Sequence, residues 1–297
     1  MKIPDLPVES VQKAADGDFA AMDSLLRAIQ PGVFNLAVRM LGNLDDARDA
    51  SQEILLKVVT HLGGFRAEAA FSTWVYRIAH NHLLNAVTRS REAPNVSFES
   101  IADKLAQGLD YGRAQIPVQL VDTLDSGGIT PEDKADAAGV ALGCTQSMLM
   151  ALDRDQRVAF LLDVVFGLTS DQAGEVVGIT AAAFRKRLSR ARERLQGFVG
   201  RTCGLVDSDA ACRCDRQLPA IRARDVAVNA GLMPDEPRLR PSPDALAKRE
   251  FAQWRGFADA AAVMRNHPEY RAPGEMIGAI RTLLTQRGYL QGGIVEM

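Results

Sequence analysis

The sequence predicts an all-α protein: two helical domains joined by an extended acidic linker, then a helical C-terminal extension. Three observations predict it. Apolar residues recur every three to four positions through most of the chain. No strand-like alternation interrupts the first 91 residues, and Gly, Pro and Ser/Thr signals separate the periodic runs. Charge is also segregated, acidic over residues 92–143 and basic over 181–201, although the whole chain carries a formal net charge of only −2. The boundaries fall at residues 1–91, 92–143, 144–199 and 200–297.

A length of 297 residues suffices for two or three small domains, and an apolar fraction of 47% supports packed cores. With so little net charge, any affinity for nucleic acid has to reside in local patches. No apolar run approaches the roughly 20 residues that span a bilayer. The opening MKIPDLPVES lacks the apolar core of a secretory signal, so a cytoplasmic location is expected. Four cysteines in a chain of this length do not form a disulfide scaffold.

Residues 8–29 read as a helix with Val11, Phe19, Leu25, Leu26 and Ile29 as its apolar set. Pro31-Gly32 is expected to interrupt it, and a second helix, Val33 to Leu41, stops at Gly42-Asn43. The next helix buries Ala47, Ala50, Ile54, Leu55, Val58, Val59 and Leu62, and Gly63-Gly64 ends it. Its opposite face carries Asp46, Asp49 and Glu53 at i, i+3 and i+7, a single stripe of carboxylates. A further helix starts near Ser72 or Thr73 and buries Trp74, Val75, Ile78, Leu83 and Val87. Tyr76, Arg77, His80, Asn81, His82, Asn85 and Arg89 fall on its other faces. Taken alone, the acids suit a solvated surface, and Phe71 and Trp74 suit a core.

Residues 92–143 hold Pro94, Pro117 and Pro131 with Gly108, Gly112, Gly127 and Gly128, and nine acids against three bases. This reads as a linker of net charge −6, mostly extended and with room for a short helix. Helical periodicity returns with Asp153 to Phe166, which carries Val158, Leu161, Leu162 and Val165. Thr169 or Ser170 caps a short helix to Val177, Gly178-Ile179 turns, and Thr180 caps the next helix, a helix-turn-helix pattern. Residues 181–201 hold seven bases and one acid, a local charge of +6 suited to phosphate neutralisation.

The C-terminal extension opens with Cys203, Cys212 and Cys214 in a C-x8-C-x-C pattern. That spacing is not a standard zinc ribbon, and a zinc site needs a fourth ligand, for which His267 or an acid is a candidate. Structural thiols and a metal or redox site both remain open readings. A Pro-rich hinge (Pro234, Pro237, Pro241, Pro243) precedes an amphipathic helix from Asp244 to Asn266. A last helix carries Met276, Ile277, Ile280, Leu283 and Leu284. Such apolar stripes need a partner surface, and the expectation is that the extension packs on one or both of the preceding helical domains and regulates them in cis.

The words DDARDASQE and FSTWVYRIAHN, in that order, resemble the promoter-melting domain of sigma-70 family factors, most of all the extracytoplasmic-function (ECF) group. The stretches LDRDQRVAFLLDVVFGLTSDQAGEVVGIT and RKRLSRARERL resemble the domain of the same group that reads the minus-thirty-five promoter element. The resemblance implies a sigma factor: a non-catalytic subunit that binds core RNA polymerase and directs initiation at promoter DNA, without cofactor or small-molecule substrate. It leaves room for a separate anti-sigma protein. By this resemblance Asp46, Asp49, Gln52 and Glu53 dock on the polymerase. Phe65, Arg66, Phe71, Trp74, Arg77, Asn81 and Asn85 hold the melted minus-ten element, with rings and amides suited to unstacked bases. Thr180, Ala182, Arg185, Lys186, Arg187 and Arg190 contact the minus-thirty-five duplex, Arg185 and Lys186 at bases and Arg187 and Arg190 at phosphates. Ala181, Ala182 and Ala183 occupy positions where the family places polar residues; alanine touches a thymine methyl but makes no bidentate hydrogen bond, so sequence readout there is expected to be weak or to rely more on DNA shape. The acidic linker would suit a basic channel of the polymerase. The alternatives are a stand-alone helix-turn-helix regulator and a metal or redox sensor acting through the C-terminal cysteines.

Overall fold

A computed structural model describes residues 2–89, 96–115, 131–229, 258–265, 267 and 269–286. Its helices, in chain order, are α1 (Val8–Ala15), α2 (Phe19–Leu41), α3 (Leu44–Thr60), α4 (Phe71–Arg89), α5 (Phe98–Gln115) and α6 (Pro131–Met150). They continue with α7 (Arg154–Phe160), α8 (Ser170–Val177), α9 (Ala181–Thr202), α10 (Leu218–Asn229), α11 (Ala260–Arg265) and α12 (Glu275–Gln286). Among the described residues the one strand-like feature is an isolated bridge between Cys203 and Cys212. The chain divides into two compact units. The first gathers Met1–Ala93, Val158–Leu188 and Glu269–Met297; the second gathers Pro94–Arg157 and Ser189–Pro268.

In the first unit α2, α3 and α4 pack on one another around Leu26, Ile29, Leu36, Ile54, Leu55, Val75 and Leu83, all 3% exposed or less. The expected break at Pro31-Gly32 is absent. The chain instead turns at Asp16-Gly17-Asp18, and α2 runs unbroken through Pro31. The Asp18 carboxylate caps α2 by accepting from the Ala21 N–H at 2.8 Å. The Asn35 carboxamide donates to the Pro31 carbonyl at 2.9 Å. Gly32 serves a close approach: a Cβ there would stand 2.5 Å from Ile3 Cγ1, where the N-terminal segment crosses the helix. Asn43, read as part of the stop of the preceding helix, also starts α3, its side chain accepting from the N–H groups of Asp45 and Asp46.

α4 starts at Phe71, one or two residues before the expected Ser72 or Thr73, because its cap comes from elsewhere in the chain. The Asp5 carboxylate accepts from the Ser72 N–H at 3.2 Å, while Ser72 and Thr73 are buried in the first turn. Two residues assigned to outer faces, Tyr76 and His80, are also buried. The Tyr76 hydroxyl accepts from the Ile3 N–H at 3.0 Å, and its ring meets Phe166 edge-on at 5.8 Å. Trp74 and Ile78, expected in the core, are half-buried, and the Val87 side chain lies outside the described residues.

The second unit corrects the expected linker. Over residues 98–115 and from 131 onward it is helical, as α5 and the start of α6, beyond the short helix the sequence allowed for. Gly108 and Gly112, read as breakers, sit one turn apart on α5 and admit the turn Asp215–Gln217. A Cβ at Gly108 would collide with the Gln217 carboxamide, and one at Gly112 would stand 3.1 Å from the Arg216 carbonyl. Gln217 Nε2 donates to the Leu105 carbonyl at 2.9 Å across this approach. Two linker acids, Asp133 and Asp136, are paired with Arg222 at 2.7 and 2.6 Å. Arg157, 5% exposed, donates to the carbonyls of Leu149, Met150 and Leu152 and so closes the end of α6. The Pro-rich hinge and the helix expected from Asp244 lie outside the described residues as far as residue 257; beyond it α11 is helical.

Candidate nucleic-acid interface

The stripe on α3 is built by its period. Ala47, Ala50, Ile54 and Val58 face the core, which leaves Asp46, Asp49 and Glu53 exposed and Gln52 half-buried. Three carboxylates on successive turns make one negative edge, suited to a basic or amide-rich protein surface.

After α3 the chain passes through a short 3-10 turn, Leu62–Gly64, into a loop whose Ala67 has φ 54°. The loop and α4 bring three rings together. Phe65 meets Phe71 edge-on at 5.4 Å and Trp74 at 5.6 Å, and Phe71 stacks on Trp74 at 5.8 Å. Phe71, expected to hold the minus-ten element, is 2% exposed. It backs Phe65 and Trp74, which remain half-exposed. Arg66, Arg77, Asn81 and Asn85 are exposed. The site thus has a ring floor, guanidinium groups and carboxamides, the set that stacks and hydrogen-bonds unpaired bases.

Arg77 is already engaged. Its Nη2 donates to Glu175 Oε1 on α8 at 2.8 Å, within the first unit, and α4 and α8 pack together there. Glu175 was missed by sequence reasoning, since nothing local marks a partner 98 residues away.

The helix-turn-helix forms as expected. The Thr169 hydroxyl accepts from the Gln172 N–H, and the Gln172 side chain accepts from the Thr169 N–H, a reciprocal capping box. Gly178 takes a left-handed φ of 72°, and the Thr180 hydroxyl accepts from the Ala183 N–H at 3.2 Å. Phe184, Leu188 and Ala191 bury the inner face of α9. Thr180, Ala182, Arg185, Lys186 and Arg190 are exposed and Arg187 half-buried, so the bases line the outer side of the helix that follows the turn.

Cys144, distant in sequence, joins Cys203, Cys212 and Cys214 in the second unit. Burial pushes the Cys144 thiol up, and the neighbouring Cys203 and Cys212 add to the shift. Cys214, against Ala141, Leu142 and Val263, is likewise raised by burial and then by the other three thiols. Among the described residues no group of three or more His, Cys, Asp or Glu stands where it could hold a metal ion. No helix among them is long and apolar enough to cross a membrane.

Two family models match: Sigma-70 region 2 over residues 25–92 and Sigma-70, region 4 over residues 142–195. The RNA polymerase sigma-H factor of Pseudomonas aeruginosa is 29% identical over 189 residues, 63% of this chain and 89% of the relative. The ECF RNA polymerase sigma factor SigW of Bacillus subtilis is 24% identical over 186 residues, 63% of this chain and 92% of the relative. A solved structure of sigma factor RpoE with the anti-sigma factor NepR from Bartonella quintana is 20% identical, with a TM-score of 0.40, covering 60% of this chain and 95% of that one.

Proposed function

As a member of the sigma-70 family, in its ECF group, this chain is a sigma factor that directs RNA polymerase to promoters, and we propose how its residues divide that work. It is not an enzyme; its partners are core polymerase and promoter DNA. It works in the cytoplasm, where both are found.

The α3 edge of Asp46, Asp49, Gln52 and Glu53 docks on the polymerase. Phe65 and Trp74, held up by Phe71, form a platform for an unstacked base of the minus-ten element, and Asn81 and Asn85 offer carboxamides to base edges. The exposed bases of α9 anchor the minus-thirty-five duplex. Arg185 and Lys186 lie nearest the bases, with Thr180 and Ala182 at the helix start, while Arg187 and Arg190 neutralise phosphate. Arg66 and Arg77 serve backbone phosphate beside the melted strand. For Arg77 this means exchanging Glu175 for DNA. The ion pair is half-exposed on both sides, and such surface pairs contribute about 0–1 kcal/mol, so the exchange is cheap.

The observation that supports this reading most is the separation of charge by surface: carboxylates outward on α3, bases outward on α9, and rings between guanidinium and amide groups on α4. A self-contained repressor has no use for the first and third of these. The test is run-off transcription with core polymerase on promoter DNA. Asp49→Lys with Glu53→Lys should abolish holoenzyme assembly while leaving the fold intact by circular dichroism. Unchanged assembly would remove α3 as the docking edge.

A further inference from the structure

The segment Lys2–Pro7 lies ahead of both family models, which begin at residues 25 and 142, yet it is fastened to α4. The Ile3 N–H donates to the Tyr76 hydroxyl at 3.0 Å. The Asp5 carboxylate accepts from the N–H of Ser72, one turn earlier on the same helix, at 3.2 Å. Ile3, 0% exposed, seats its side chain against α2 at Gly32. After Pro7 the chain enters α1, which packs on the Leu62–Gly64 turn that leads to Phe65. The N-terminus therefore touches both approaches to the ring site. One is the first turn of α4, which carries Phe71 and Trp74; the other is the turn that delivers Phe65.

α4 has no cap from the residue that precedes it. That residue is Ala70, whose carbonyl accepts from the Trp74 N–H at 3.1 Å but whose side chain offers no acceptor. A helix leaves its first N–H groups without an internal partner, and an uncapped first turn frays. Asp5 supplies an acceptor from 67 residues away, and its charge suits the positive end of the helix dipole. Asp5 is itself exposed, so what it contributes is this hydrogen bond and not packing. The body of α4 needs no such help, because Val75, Ala79 and Leu83 are 0% exposed and hold it in the core. The effect of Asp5 is thus confined to the first turn. Phe65 leans on both rings of that turn, at 5.4 and 5.6 Å, so the platform keeps its shape only while the turn does.

We propose that Asp5 is a positioning residue of the minus-ten site: by capping α4 it fixes how Phe65, Phe71 and Trp74 are set for an unstacked base. This rests on the reading of Phe65 and Trp74 as the base platform.

The full-length chain with Asp5→Ala and with Asp5→Asn tests it, since asparagine keeps a capping oxygen and alanine does not. In the free chain the Ser72 amide should exchange several-fold faster in Asp5→Ala and near the parent rate in Asp5→Asn. As holoenzyme with core polymerase, Asp5→Ala should bind a fluorescent single-stranded minus-ten oligonucleotide from the run-off promoter several-fold more weakly. Asp5→Asn should bind it at the parent level or above. Affinity for a minus-thirty-five duplex should be the same in all three chains. Unchanged Ser72 exchange in Asp5→Ala overturns the cap. Faster exchange with unchanged strand binding overturns the positioning role and leaves a purely structural cap, and so does a loss shared equally by strand and duplex. A loss in Asp5→Asn as large as in Asp5→Ala removes the hydrogen bond as the cause. Trp74→Ala is the control for the platform: if it binds the strand as the parent does, the platform reading falls, and the positioning role falls with it.

Discussion

Phe71 and Trp74 are three residues apart on one helix and do different work. Phe71 is 2% exposed, edge-on to Phe65 and stacked on Trp74, whereas Trp74 is only half-buried. Phe71→Ala should therefore cost about 3–5 kcal/mol of stability, as large aromatic truncations in cores do, and be read as an earlier thermal unfolding transition. Trp74→Ala should leave more stability and lose more promoter opening, checked by the reactivity of unpaired thymines with permanganate. The cysteines yield a second prediction at this scale. Burial raises the thiols of Cys144, Cys203, Cys212 and Cys214, and the thiolate is the reactive form. In the native chain near neutral pH all four should alkylate slowly, and unfolding should release them together. Rapid labelling of Cys203 or Cys212 in the native chain would show that region to be open.

At the scale of the element, α9 is a row of cations on a well-capped frame. Removing the cap by Thr169→Ala should cost about 1 kcal/mol and destabilise α8 before α9. Replacing Arg187 or Arg190 by Ala should weaken duplex binding evenly across sequences and lower the salt dependence by about one counterion each, measured by titration at several ionic strengths. Replacing Arg185 should also relax sequence preference. The α12 contact has a pH dependence. Burial works to raise the Asp23 carboxyl, but the hydrogen bonds and charges of Arg281 and Arg27 outweigh it, and the net shift lies below the ordinary 3.8. A depressed carboxylate stabilises the docked form above its ordinary value, and that contribution fades as the pH falls through the lowered one. Exchange protection of residues 275–286 should therefore be flat from about pH 5 to 8 and decline only in strong acid.

For the whole molecule, the consequence is that chain order and spatial grouping differ. The family-like stretches run in sequence as expected, yet the first compact unit draws on three separated stretches and the second on two. Residues sequence reasoning treated as separate pieces therefore meet. The extension expected at 200–297 contributes to both units, and Glu175 of the helix-turn-helix meets Arg77 of α4. Replacing Glu175 by Ala should free Arg77 and raise affinity for a melted minus-ten strand, measured with a fluorescent oligonucleotide.

What the sequence determined alone was everything with a local cause. The 3.6-residue period gave α3 its carboxylate edge, Thr169, Gly178 and Thr180 bounded the helix-turn-helix, and the run of Arg and Lys made α9 basic. These depend on neighbours within one or two turns, so residue order suffices. Tertiary structure decided what needs a distant partner. Asp5 caps α4 in place of Ser72, Ile3 crosses at Gly32 and α2 continues through Pro31, and the Asp215–Gln217 turn makes Gly108 and Gly112 contacts instead of breaks. Phe71 is buried, Cys144 reaches the other thiols and Tyr270 reaches Asn35 for the same reason. Burial and pairing are properties of the folded surroundings, and no window along the chain contains them.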